Sequence, residues 1–149
     1  MKYILIFIVF IITSVSYIYW NRELKLNNSR LNTDFFILLQ QANRTQLDLR
    51  SLNTIEWDEL VLWPNSTNIC DLNINNYKPG NFNCIQLDNP NEDYLVLLKN
   101  NNFAGRIKIN KREGDFSKIA HQRISKSQAR FVFINKGVFP QVDLDQSSF

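Results

Sequence analysis

The sequence predicts an α+β chain: an N-terminal transmembrane or signal-anchor helix, then a small domain with one helix packed on an antiparallel sheet. Three observations predict it. Residues Ile4 to Trp20 carry no charge. Phe35, Leu38, Leu39 and Ala42 then fall at i, i+3, i+4 and i+7, the single apolar stripe of a surface helix. After that helix come only short apolar or alternating runs separated by polar turns, as strands of an antiparallel sheet would be. The chain of 149 residues divides into residues 1–20 as anchor or signal segment, 21–32 as linker and 33–149 as an extracytoplasmic domain large enough for one core.

The N-terminal run comes first. Tyr3 to Trp20 is 18 residues, about 27 Å of helix at about 1.5 Å per residue, just enough to cross a hydrocarbon core. Tyr17, Tyr19 and Trp20 crowd its far end, where aromatic rings favour the headgroup region. Lys2 favours a cytoplasmic N-terminus, with Arg22 and Lys25 opposing it weakly. The expected address is therefore the inner membrane, single-pass, with the domain periplasmic or otherwise extracytoplasmic. Secretion to the periplasm after cleavage is the competing expectation, with Ser14-Val15-Ser16 as a poor small-x-small site. No Cys follows the run, which excludes a lipidated N-terminal Cys.

Residues 21–32 are polar and read as a linker or a fraying continuation of the first helix. Thr33 is placed to cap the next helix, with Asp34 in its first turn and an end near Asn43. Trp57 to Trp63, stopped by Pro64, has apolar residues on both alternating sets and reads as an interior strand. Tyr94 to Leu98 reads the same way, Asn100-Asn101-Asn102 makes a turn, and Arg106 to Asn110 alternates strictly. Ala129 to Ile134 is a further buried run, with Phe131 and Phe133 on one side.

Cys70 and Cys84 are the only cysteines. Two thiols and the single His121 cannot supply the four ligands of a structural zinc, and the spacing is not that of a redox pair. In an oxidising compartment a disulfide is expected, closing a 15-residue loop and contributing about 3 kcal/mol; two buried thiols are the alternative. The 20 Asn make about two glycosylation sequons by chance, so those at Asn27, Asn43 and Asn65 carry no weight.

Trp57-Asp58 leads an apolar strand into Pro64, and Leu95-Val96-Leu97-Leu98-Lys99, Arg112-Glu113-Gly114-Asp115-Phe116 and Ala129-x-Phe131 follow along the chain. Together these resemble a group of small uncharacterised bacterial envelope proteins, often lipoproteins. The resemblance implies a compartment and a fold; it implies no activity. Here a helical anchor takes the place of the lipidated Cys.

No catalytic set is legible. His121 lies in a basic polar stretch, the four glycines form no nucleophile elbow, phosphate loop or dinucleotide turn, and no cofactor or metal motif is present. An enzyme is not expected. Arg112 to Phe116 reads as a turn anchored by Phe116. Trp57 and Trp63, six residues apart, would share one strand face.

Charge is unevenly spread. Thr45 to Tyr94 holds eight acidic and two basic residues, and Lys99 to Lys136 ten basic and two acidic, within an overall net charge of +3. Arg106 and Lys108 fall opposite Ile107 and Ile109, with Lys111 and Arg112 close behind. These four are the candidate binding residues, suited to a protein partner or an anionic envelope partner such as lipid or cell-wall polymer and not, in that compartment, to nucleic acid. The bland alternative is that the two halves neutralise each other within the fold. The functional expectation is a membrane-tethered extracytoplasmic binding or interaction module, an immunity-like protein being one version. The alternatives are an envelope maintenance or assembly factor acting through the basic face, and a hydrolase with an unrecognised site.

Overall fold

The computed structural model describes residues 2–64, 91–134 and 139–146; the side chains at 2–5, 20, 21, 24 and 64 lie outside that description. Helix α1 runs from Lys2 to Ala42 without a break. The stretch 21–32, expected as a linker or a continuation of the first helix, continues it: it holds no Pro or Gly, and seven of its twelve residues are Leu, Arg, Lys or Glu. Thr33 is therefore an interior residue and not a cap: its Oγ1 donates to the Ser29 carbonyl at 3.1 Å. The helix stops where Asn43 (φ 44°) and Arg44 (φ 53°) turn left-handed. Thr45 then donates to the Ala42 carbonyl through its N–H at 2.9 Å and its Oγ1 at 2.7 Å.

The expected stripe faces inward. Phe35 and Ala42 are buried, Leu38 and Leu39 pack against the core, and Leu31 extends the stripe by one turn. The first half of α1 behaves differently, with Ile6 to Ile12, Val15 and Tyr17 to Tyr19 all exposed. Among the described residues no helix is long and apolar enough to cross a membrane. The described side chains of the apolar run extend from Ile6 to Tyr19, 14 residues and about 21 Å; those that complete it to 18 residues lie outside the description.

The fold is α+β, with two antiparallel sheets where one was expected. One sheet has the order β4-β3-β2-β5, built from Asn102–Asn110, Glu92–Lys99, Glu59–Pro64 and Arg123–Ser125. The other has the order β1-β6-β7, from Gln46–Asp48, Arg130–Phe133 and Val142–Leu144. Strands β1 and β7 have three residues each, too few to show a period of two, so the sequence hides the second sheet. Within Ala129–Ile134 only one side is fully buried: Phe131 and Phe133 are inside, while Ile134 is exposed.

Strands β2 and β3 are buried on both faces, as their continuous apolar runs require. Leu60, Leu62, Leu95, Leu97, Ile107 and Ile109 face α1 and the smaller sheet in the main core. Val61, Trp63, Tyr94, Val96 and Leu98 form a second cluster on the opposite face. Trp57 precedes β2, lies in the main core, and donates its indole N–H to the Leu52 carbonyl at 2.8 Å. The two tryptophans therefore belong to different clusters and share no face. Asn100 (φ 50°) and Asn101 (φ 58°) form the two-residue β3–β4 turn, closed by Lys99 opposite Asn102. The Arg112–Phe116 segment is the expected turn with Phe116 buried. Gly114 is there for close packing and not for a left-handed backbone: a Cβ would lie 2.9 Å from the Phe116 ring and 3.0 Å from Val142.

Candidate functional site

The candidate residues sit on β4 and the turn after it, and β4 is an edge strand. An edge leaves alternate N–H groups without a neighbouring strand. Here side chains supply the acceptors. Asn28 Oδ1 accepts from the Arg106 N–H at 3.2 Å, and Asn32 Oδ1 accepts from the Lys108 N–H at 2.8 Å. Glu113 Oε2 accepts from the Asn110 N–H at 3.2 Å. Asn28 and Asn32 are four apart on α1, so they stack on one helix face, and Asn32 Nδ2 donates to the Asn28 carbonyl at 2.6 Å. Beneath them a Cβ at Gly105 would come within 3.0 Å of Leu31 and 2.7 Å of Ile55. The missing side chain lets α1 lie against the strand.

Arg106 and Lys108 share the sheet face opposite Ile107 and Ile109, as the alternation requires. That face is not a bare basic surface. The Arg106 guanidinium lies 5.1 Å from the Tyr94 ring centroid, and Lys108 Nζ is 2.6 Å from Glu92. Lys111 reaches Asp93, 3.9 Å away, whose side chain is 2% exposed; Asp93 pairs with Ile109 and alternates with Tyr94, so it points the other way. Arg112 is exposed in the turn. The structure thus brings Arg106 and Lys108 together and sets Lys111 and Arg112 apart from them. Cys70 and Cys84 lie outside the described residues.

The same pairing recurs elsewhere. Arg123 meets Glu59 at 3.2 Å, Arg130 meets Asp48 at 3.7 Å and Asp145 at 3.9 Å, and Lys118 meets Asp143 at 2.6 Å. Among the described residues, Asp48, Glu59, Glu92 and Asp93 of the acidic stretch each meet a cation of the basic one. The Arg50 guanidinium hydrogen-bonded to Asp48 holds that carboxyl below its usual range, and the Lys118 ammonium does the same to Asp143. Both carboxylates are partly exposed to water, which screens them, so these pairs contribute little to stability.

Other arrangements offer less chemistry. A shallow groove of about 490 Å³ lies between α1 and the 51–54 loop, lined by Asp34, Ile37, Leu38, Gln41, Leu52 and Thr54. The Thr54 hydroxyl donates to the Asp34 carboxylate across it, so two of its polar groups satisfy each other. His121 is exposed, sits at φ 62°, and sets its ring edge-on to Trp63 at 4.9 Å. Among the described residues no hydroxyl or carboxylate is hydrogen-bonded to its imidazole, and no three His, Cys, Asp or Glu are grouped to hold a metal ion. Sequence reasoning missed Asn28 and Asn32, whose spacing of four was the available signal. No family model, no curated protein and no solved structure matches this chain. The functional reading rests on the chain itself.

Proposed function

We propose that this protein is a membrane-tethered binding module, its domain held outside the cytoplasm by the first half of α1. One observation carries the reading: from Ile6 to Tyr19 the helix exposes large apolar side chains on every side and no charge, Ile6, Phe10 and Ile18 being 65–67% exposed. Water disfavours such a surface by about 25 cal/mol per Å², and lipid is the solvent that suits a helix apolar all round. The uncharged sequence from Tyr3 to Trp20 supports a span of the bilayer. A binding role is favoured over an enzymatic one because the polar groups of the groove and of β4 are turned to holding the fold. Cys70 and Cys84 are proposed to pair in the oxidising compartment this address gives them.

Fractionation of cells producing the full chain tests the address. The protein should sediment with membranes and stay there through alkaline carbonate and high salt. The same material, alkylated without reductant, should leave both cysteines unmodified. Release into the soluble fraction with a new N-terminus near Tyr17 would establish secretion instead, and ready alkylation of both thiols would remove the disulfide.

A further inference from the structure

The docking of α1 on β4 fixes which end of the domain faces the bilayer. Asn28 bonds to Arg106 and Asn32 to Lys108, so four helical residues advance with two strand residues. The two steps match, about 6.0 Å along a helix and about 6.6 Å along a strand. Helix and strand therefore run side by side in the same direction. Going back along both, Asn101 lies five residues before Arg106, about 15 Å once the irregularity near Ala104 is allowed for. That distance is about ten helical residues, which brings the β3–β4 turn level with Ile18, at the end of the apolar run.

From this geometry, and resting on the membrane reading above, we propose that the β3–β4 turn, Lys99 to Asn102, lies against the lipid headgroups of the bilayer that holds α1. The turn is braced for such a position. The Asn100 N–H donates to Asp58 Oδ2 at 2.9 Å, Arg123 Nη2 donates to Asn101 Oδ1 at 2.8 Å, and the Asp58 N–H donates to the Leu98 carbonyl at 2.9 Å. Three segments thus form one firm end of the sheet. Lys99 there, with exposed Arg22 and Lys25 on the helix, brings cationic donors to the level of lipid phosphates. The opposite end of β4 points away. Asn110 is four residues beyond Arg106, about 13 Å farther from the bilayer, so Lys111 and Arg112 lie at the end of the domain away from this membrane. The basic residues grouped by sequence are divided by the structure between a side and a far end of the domain.

Photocrosslinking of the full chain in vesicles of phosphatidylethanolamine and phosphatidylglycerol tests this. A benzoylphenylalanine probe at Lys99, or in a second variant at Asn101, should form lipid adducts, and the same probe at Arg112 should form none above background. Asn28→Ala with Asn32→Ala should lower the adduct yield at Lys99 while carbonate-resistant retention in the vesicles stays unchanged. Equal adducts from Lys99 and Arg112 in retained protein would overturn the proposed orientation, as would a yield at Lys99 indifferent to the loss of both Asn side chains. Failure of the unsubstituted chain to be retained at all would overturn the membrane reading itself, a result visible before any crosslink is formed.

Discussion

The two halves of α1 share one backbone and differ in every other respect. From Ile6 to Tyr19 large apolar side chains point outward all round, Phe10 being 67% exposed. From Asn28 to Ala42 one stripe is packed inward, Leu31 and Phe35 being 0% and 2% exposed, while Phe36 and Ile37 beside it stay 45% and 46% exposed. A sheet can cover only one side of a helix, so only the second half suits protein packing. The first half has to find a solvent that surrounds it. The difference shows that a continuous helix is not a single packing unit. Each half takes its surroundings from the angular distribution of its side chains.

This comparison can be broken most directly by truncating one ring in each half. Phe35→Ala should lower the unfolding free energy of the domain by about 3–5 kcal/mol, the usual loss for a buried Phe. Phe10→Ala should leave the denaturant midpoint unchanged. Equal effects would mean that both halves pack against the domain. A smaller loss should come from the contact that seats the second half. Gly105→Val should cost about 1–3 kcal/mol by forcing Leu31 and Ile55 aside, whereas Gly105→Ala should cost less, since the Ile55 Cδ1 at 2.7 Å ends a flexible side chain. A thermal melt of both variants checks the ranking, and a Val variant as stable as the parent would show that α1 does not lie tightly on β4.

Acid gives the smallest effect and sharpens the contrast. Asp48 and Asp143 have folded pKa values below the ordinary carboxylate value. Their contribution is therefore present above about pH 4 and is lost as pH falls below that through the folded values. Being partly exposed pairs screened by solvent, they should account for about 0.5 kcal/mol or less each. Urea unfolding at about pH 6 and about pH 3, with Asp48→Asn and Asp143→Asn as controls, measures the difference. Ile6 to Ser16 contains no titratable side chain, so retention in membranes should not change over the same range. Loss of both together would tie the first half of α1 to the fold.

Much of the domain was legible because its signals are long. The stripe through Phe35 and Ala42, the doubly buried runs of β2 and β3, and the alternation of Arg106 to Asn110 each span enough residues to show a period. The three-residue strands β1 and β7 do not, and the sheet they form with β6 was missed for that reason. Thr33 was read as a cap because its chemistry allows one, although nothing between Asn21 and Asn32 obliges the helix to stop. For the candidate site, residue type and alternation placed Arg106 and Lys108 on one face. Neither could show Tyr94 and Glu92 beneath them, or Asn28 and Asn32 closing the strand edge, since these partners are fixed by register.

The sequence by itself determined where the chain is apolar on all sides, where it is apolar on one, and where its charges are concentrated. Those are properties of consecutive residues, and their physical consequences follow from periodicity and solvation alone. Only the tertiary structure decided that two sheets form, that four acidic residues of 45–94 meet cations of 99–136, and that α1 runs parallel to β4 with its amides as ladder rungs. Each of those depends on residues distant in sequence, such as Asn28 and Arg106 or Asp48 and Arg130, meeting at a register that no local pattern encodes.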